Sequence, residues 1–180
     1  PSLTAFGNTV PVSYLRFIYR QESPMHVCWG AKNRLALVRI PLWWNFRKDL
    51  READECRRTL EFRAPDSSAN PYLLFAGIAL AVEYGLKNPK ESLKIAMDLR
   101  ADNIVEGNKR YGVLPLSCAE AAKNLKRDRK YYEADGVFPK RVIDGVISKL
   151  GSYKDRGLWK KLADKPDKIE DQLWKYLDCG

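Results

Sequence analysis

At 180 residues the chain can bury one core of ordinary size, and its length makes a single domain the first expectation. Its 32 basic and 23 acidic side chains leave a formal charge of +9, but no basic tail stands apart as a nucleic-acid arm, and nucleic acid is not an expected partner. The four cysteines, Cys28, Cys56, Cys118 and Cys179, show no C-x-x-C spacing, and the longest apolar run, Tyr72 to Val82, falls short of the roughly 20 residues a bilayer span needs; zinc, dithiol chemistry and membrane insertion are set aside, and a reduced, cytoplasmic protein is expected.

Pro1 to Tyr14 is rich in Gly, Pro and Thr and reads as a loop leading into Ser13-Tyr14-Leu15-Arg16-Phe17. Taken alone, Arg16 is a solvated surface arginine. Pro1 to Phe46 nevertheless holds five basic residues against only Glu22, a balance that suits an anion or a neighbour's carboxylates. Tyr19 to Pro24 is polar, ends on proline and reads as an exposed loop. Val27 to Gly30 is a strand, Ala31 to Arg34 a turn, and Leu35 to Ile40 a second strand closed by Pro41. Arg39 interrupts that apolar strand, and a guanidinium there costs several kcal/mol, as an order of magnitude, unless it meets a carboxylate or an anionic ligand. Arg34 and Arg39 are separated by an odd number of residues, so one regular strand cannot show both on one face. If they serve one site, Arg34 lies in the turn or at a bulge. Leu42 to Cys56 opens on Trp43-Trp44-Asn45-Phe46 and turns highly charged; with both signs interspersed it fits a solvated excursion better than a nucleic-acid platform.

From Leu60 to Arg63 apolar and charged residues alternate, so on a strand Glu61 and Arg63 share one face while Leu60 and Phe62 pack behind. A surface salt bridge is the ordinary explanation of such a pair. Pro65 ends the pairing, and Asn70-Pro71 reads as an N-cap with proline at the first helical position. The helix it opens, Tyr72 to Tyr84, is apolar nearly all round and is expected to be buried. Beyond it come amphipathic stripes: Leu93, Ala96 and Met97; Leu116, Ala119, Ala122 and Leu125; Val142, Ile143, Val146, Ile147 and Leu150; Trp159 with Leu162; and Ile169, Leu173, Trp174 and Leu177. These stripes are expected to be core, and no chemistry is assigned to them.

Four segments taken together resemble glutamine synthetase: Ser13-Tyr14-Leu15-Arg16, Glu22-Ser23-Pro24, Ala31-Lys32-Asn33-Arg34 through Arg39-Ile40-Pro41, and Glu61-Phe62-Arg63 through Pro65-Asp66 to Asn70-Pro71-Tyr72. A looser similarity runs through Asp135-Gly136-Val137-Phe138 to about Leu150. The resemblance implies ATP-dependent ligation of ammonia to glutamate through γ-glutamyl phosphate. By it, Arg16 and Arg63 match the glutamate-binding arginines, and Arg34 and Arg39 match those that meet the transferring phosphoryl group of ATP, where guanidinium forks give charge-assisted contacts. Glu61 matches a ligand of Mg²⁺ or Mn²⁺. Glu22 matches the carboxylate of the closing loop, at the ammonium pocket.

Departures from the family accompany the match. The stretch between Pro41 and Glu61 is longer than in the familiar bacterial enzymes, and Thr59 stands where they carry an arginine near the nucleotide. Tyr111-Gly112-Val113-Leu114-Pro115 is only loosely similar to the loop adenylylated in some members, so that regulation is not carried over. The family's other metal ligands, a histidine among them, have no match here, and His26 does not correspond to it. The chain is therefore expected to be the carboxyl-terminal part of a catalytic domain, inactive alone and partnered by an amino-terminal remainder, with a homo-oligomer for the full length. The expected fold is α+β: one domain over 1–180, with an antiparallel sheet drawn from 1–64 and a helical region over 70–180. The alternatives are a γ-glutamyl ligase acting on a polyamine or ethanolamine, a non-catalytic structural relative, and an RNA-binding module.

Overall fold

The computed structural model describes residues 1–19, 23–41, 59–102, 110–162 and 164–176. The chain divides into two compact units, one of Pro1–Gln21, Ala64–Pro89 and Pro115–Gly180 and the other of Glu22–Arg63 and Lys90–Leu114.

The first unit is helical. Its described elements are α1 (Thr4–Gly7), a 3₁₀ turn (Pro11–Tyr14) running into α2 (Leu15–Tyr19), α3 (Pro71–Lys87), α5 (Cys118–Glu133), a second 3₁₀ turn (Ala134–Gly136), α6 (Lys140–Ser152), α7 (Leu158–Leu162) and α8 (Pro166–Lys175). Phe6 of α1 is the wedge of its core, stacked on Phe138 at 5.2 Å between ring centres and edge-on to Tyr132 at 5.3 Å. Leu125, Ile143 and Leu150 are fully buried beside the α5–α6 hairpin's seam. α3 starts where the Asn70-Pro71 pair predicts, with the Asn70 side chain accepting from the Leu73 amide at 3.1 Å. The turn before it is fixed by short-range polar contacts. Asp66 Oδ1 accepts from the Ser68 amide at 3.0 Å and from its hydroxyl at 2.7 Å, Thr9 donates its amide to Ser68 Oγ at 2.9 Å, and Asn8 donates to the Ala64 carbonyl at 2.8 Å. The Pro65 to Asn70 stretch is thus tied to the Phe6–Thr9 backbone, where the Phe6 carbonyl also takes the Asn70 amide at 3.1 Å.

The second unit carries the sheet. Strands β1 (His26–Ala31), β2 (Ala36–Ile40) and β3 (Glu61–Phe62) lie in the order β1-β2-β3, and α4 (Pro89–Asp98) belongs to this unit from Lys90 onward. Cys28, Ala36, Ala101 and Tyr111 form its small core. Trp29 exchanges backbone hydrogen bonds with Leu99 and Ala101, at 3.1 and 2.7 Å, and donates its indole N–H to the Ala96 carbonyl at 2.6 Å. Gly30 is required at its place: a Cβ there would collide with the Ala101 carbonyl.

The α+β class holds, and four expectations within it change. The sheet is mixed, since β2 pairs with β3 antiparallel but with β1 parallel, in a register that shifts between His26 and Trp29. Alternation tells which face a residue takes and is silent on strand direction. Residues 4–7 and 11–19 are helical, so Arg16 lies on α2 and the sheet draws on 26–62, not on the chain from its start. α3 buries only Leu74 and Gly77, the face against which Leu3 and Phe6 pack, while Tyr72, Phe75, Val82 and Leu86 are exposed. A helix apolar all round needs cover on every side, and the described residues supply one. In α4, Leu93 and Met97 are exposed, as are Leu173 and Trp174 of α8. Leu177 and the Leu42 to Cys56 excursion, apart from its surroundings at Pro41 and Thr59, lie outside the described residues.

Among the described residues, Cys28 and Cys118 are free and buried, and no helix is long and apolar enough to cross a membrane. Burial pushes both thiols above their ordinary pKa, and at Cys118 the nearby Asp155 adds to that effect.

Candidate functional site

Arg39 is placed on the middle strand of the sheet, opposite Gly30 of β1 on one side and Glu61 of β3 on the other. The register that sets Val38 beside Phe62 sets Arg39 directly across from Glu61. Their side chains meet at 3.2 Å, Arg39 Nη1 to Glu61 Oε2, with the guanidinium 21% and the carboxylate 40% exposed. The charge on the apolar strand therefore has the carboxylate that its position demanded. Arg39 Nε is buried and has no hydrogen-bond partner among the described residues.

Arg63 follows β3, and its amide donates to the Leu37 carbonyl at 2.9 Å, which carries the antiparallel pairing one residue further. Its guanidinium donates through Nη1 to the carbonyl of Arg34. Arg34 sits in the turn before β2, the place the odd spacing to Arg39 requires. That turn is held by Asn33, whose side-chain oxygen accepts from the Leu35 amide at 2.9 Å and whose amide donates to the Ala101 carbonyl at 2.6 Å. Nearby, the Ala31 amide and then Arg100 hold the Asp102 carboxyl below the usual range.

Four of the six expected site residues belong to the second unit, Arg39 paired with Glu61, and Arg63 held to the backbone of Arg34. Arg16 belongs to the first. Its guanidinium donates through Nη2 to the carbonyls of Ala64 and Pro65, the latter at 3.0 Å, and lies over the Phe17 ring at 4.9 Å. Glu22 lies outside the described residues. Sequence reasoning missed that Arg39 and Glu61 are each other's partners. The signal was available in the matching apolar positions Val38 and Phe62, since aligning them fixes the register and with it the charged pair.

The family described as glutamine synthetase, catalytic domain, matches residues 1–152. The chain belongs to the glutamine synthetase family. The glutamine synthetase of Pyrococcus furiosus is 34% identical over 179 residues, covering 98% of this chain and 38% of its own length. That of Mycolicibacterium smegmatis is 36% identical over 178 residues, covering 97% and 34%, and that of Salmonella typhimurium is 33% identical over 159 residues, covering 86% and 31%. The chain spans about a third of the length of the relatives it matches.

A glutamine synthetase implies a divalent cation, and the donors here do not fit one. Among the described residues no three His, Cys, Asp or Glu side chains are grouped, and Glu61 stands alone with a guanidinium on one of its oxygens. Mg²⁺ and Mn²⁺ require several oxygen ligands, so this carboxylate by itself is not a cation site.

Proposed function

We propose that the chain supplies the phosphoryl- and glutamate-binding side of a glutamine synthetase active site, in which ammonia is ligated to glutamate at the expense of ATP. The observation that carries this reading is Arg39: within a sequence matched to the family, a guanidinium stands on an apolar strand beside a carboxylate, with a buried donor to spare. In the reaction the side-chain carboxylate of glutamate attacks the γ-phosphorus of ATP, ADP leaves, and ammonia then displaces phosphate from the acyl phosphate. Phosphoryl transfer needs positioning and neutralised charge more than covalent help. Arg34 and Arg39 supply positive charge to the transferring group. Arg16 and Arg63 grip glutamate, and Glu22 receives the proton that ammonium gives up before it attacks. Mg²⁺ or Mn²⁺ would enter on ligands that this chain's described residues do not provide. The working protein is read as a cytoplasmic homo-oligomer that includes the remainder of a catalytic domain, and the 180-residue chain alone is expected to make no glutamine.

Binding tests these roles without requiring turnover. ATP titrated into the purified chain should bind weakly and saturably, and Arg39→Gln should abolish that binding; glutamate should bind in a manner that Arg63→Gln abolishes. Binding unchanged in both variants contradicts the assignment. Detection of ATP- and glutamate-dependent glutamine formation by the isolated chain would contradict the expected inactivity. If the longer protein prefers a polyamine or ethanolamine over ammonia as acceptor, the reaction class stands and the acceptor changes.

A further inference from the structure

We infer that Asn33 is a positioning residue for both substrates: its buried side chain sets the turn that aims Arg34 and, through the Arg34 carbonyl, holds the Arg63 guanidinium in place. The inference rests on the reading of these two arginines as phosphoryl- and glutamate-binding groups, and it adds a residue that touches neither ligand. Asn33 opens the turn before β2. Its side-chain oxygen accepts from the Leu35 amide at 2.9 Å, and its own carbonyl accepts from the Ala36 amide at 3.4 Å, so Arg34 is enclosed in a turn closed twice. Several short polar side chains can make the first of these bonds. What singles out asparagine is its other end, which donates to the Ala101 carbonyl at 2.6 Å, 68 residues further along the chain. That acceptor is itself fixed, since the Ala101 amide donates to the Trp29 carbonyl at 2.7 Å. Gly30 clears the way for it: a Cβ there would stand 2.1 Å from the Ala101 carbonyl oxygen. Lys32, just ahead of Asn33, has a φ of 61°, a left-handed conformation that a lysine keeps only where its surroundings hold it. The Asn33 tether on one side and the bond from the Lys32 amide to the Ile40 carbonyl, at 2.8 Å, on the other do so. Arg34 is exposed, so its direction is set by its backbone. The Arg63 guanidinium donates to the carbonyl of that same residue. A turn that relaxes therefore swings one guanidinium away and removes the rest on which the other lies. All of these residues belong to the second unit.

The test is calorimetric titration of ATP and, separately, of glutamate into the 180-residue chain and its variants, with folding checked by circular dichroism and stability by urea unfolding. Asn33→Ala should weaken both ligands at least about fivefold, because a small misplacement of binding groups is costly. Arg34→Gln should weaken ATP alone, since its carbonyl still holds Arg63, and Arg63→Gln should weaken glutamate alone. Joint loss from a residue in contact with neither ligand separates positioning from a purely structural role, which would lower the urea midpoint and leave the affinities of the folded chain as they were. Should Asn33→Ala fail to fold, Asn33→Ser serves in its place: the hydroxyl keeps an acceptor for the Leu35 amide but is too short to reach Ala101, and both affinities should still fall. In an Arg34→Gln background Asn33→Ser should cause no further loss of ATP affinity, because the two act through one group. Binding of either ligand at the parent's affinity by a folded Asn33 variant overturns the inference and leaves the roles of the arginines intact. Absence of ATP and glutamate binding from the parent overturns those roles and the inference with them.

Discussion

Two buried side chains show how polar groups are accommodated in the helical unit, and each gives a measurable consequence. Asp155 is almost wholly buried, yet both its oxygens are used, Oδ2 by the Cys118 amide at 2.8 Å and Oδ1 by the Ala119 amide at 3.1 Å. Those amides open α5, where backbone donors lack helical partners and the macrodipole favours a negative charge. Asp155→Ala strands them in a buried place and should cost about 2 to 3 kcal/mol in urea unfolding; a loss below about 0.5 kcal/mol would mean that water replaces the carboxylate. Tyr132 shares a hydrogen bond of 2.8 Å with Ser2, and burial pushes its phenol up to about 12. An unfolded tyrosine loses its proton near pH 10, so between about pH 10 and 12 the unfolded chain holds fewer protons than the folded one. Stability from this group is complete below pH 10 and is lost as the pH rises toward 12. Tyr132→Phe should lower stability by about 1 kcal/mol at neutral pH and flatten the alkaline decline relative to the parent. An unchanged decline contradicts the assignment.

The helices and strands divide into those the sequence made legible and those it did not. The start of α3 was readable because Asn70 and Pro71 act locally, through a cap and a fixed φ, and the strands around Val27–Gly30 and Leu35–Ile40 were readable from their bounding turns. Arg34 in a turn and Arg39 with a carboxylate followed from parity and from the cost of a lone buried charge. Strand direction in the β1–β2 pair, the helical turn that carries Arg16, and the exposure of α3 were not readable, because each depends on which neighbours are present and not on the segment itself. Phe75 separates the two accounts of α3. It is 67% exposed, so Phe75→Glu should change folding stability by less than about 0.5 kcal/mol, as at other surface positions. A fully buried helix would lose about 3 to 5 kcal/mol on losing the ring, and thermal or urea unfolding distinguishes these outcomes.

Taken whole, the chain combines a family match over 1–152 with a span of 38% of its Pyrococcus furiosus relative. Within the described residues it places Arg34, Arg39, Glu61 and Arg63 in one unit and lacks a grouped set of metal donors. Both facts are explained if these residues are one side of a site whose other ligands come from additional polypeptide. The account then predicts that the chain's residues can do this work when the rest is supplied. The direct measurement is glutamine formation by a chimera in which residues 1–152 replace the aligned stretch of the Pyrococcus furiosus glutamine synthetase. The chimera should form glutamine from glutamate, ammonia and ATP, and Arg39→Gln within it should lower kcat by at least about a hundredfold, the loss of one strong charged contact in the transition state. A chimera that folds and stays inactive, or one whose activity survives Arg39→Gln, would contradict the account.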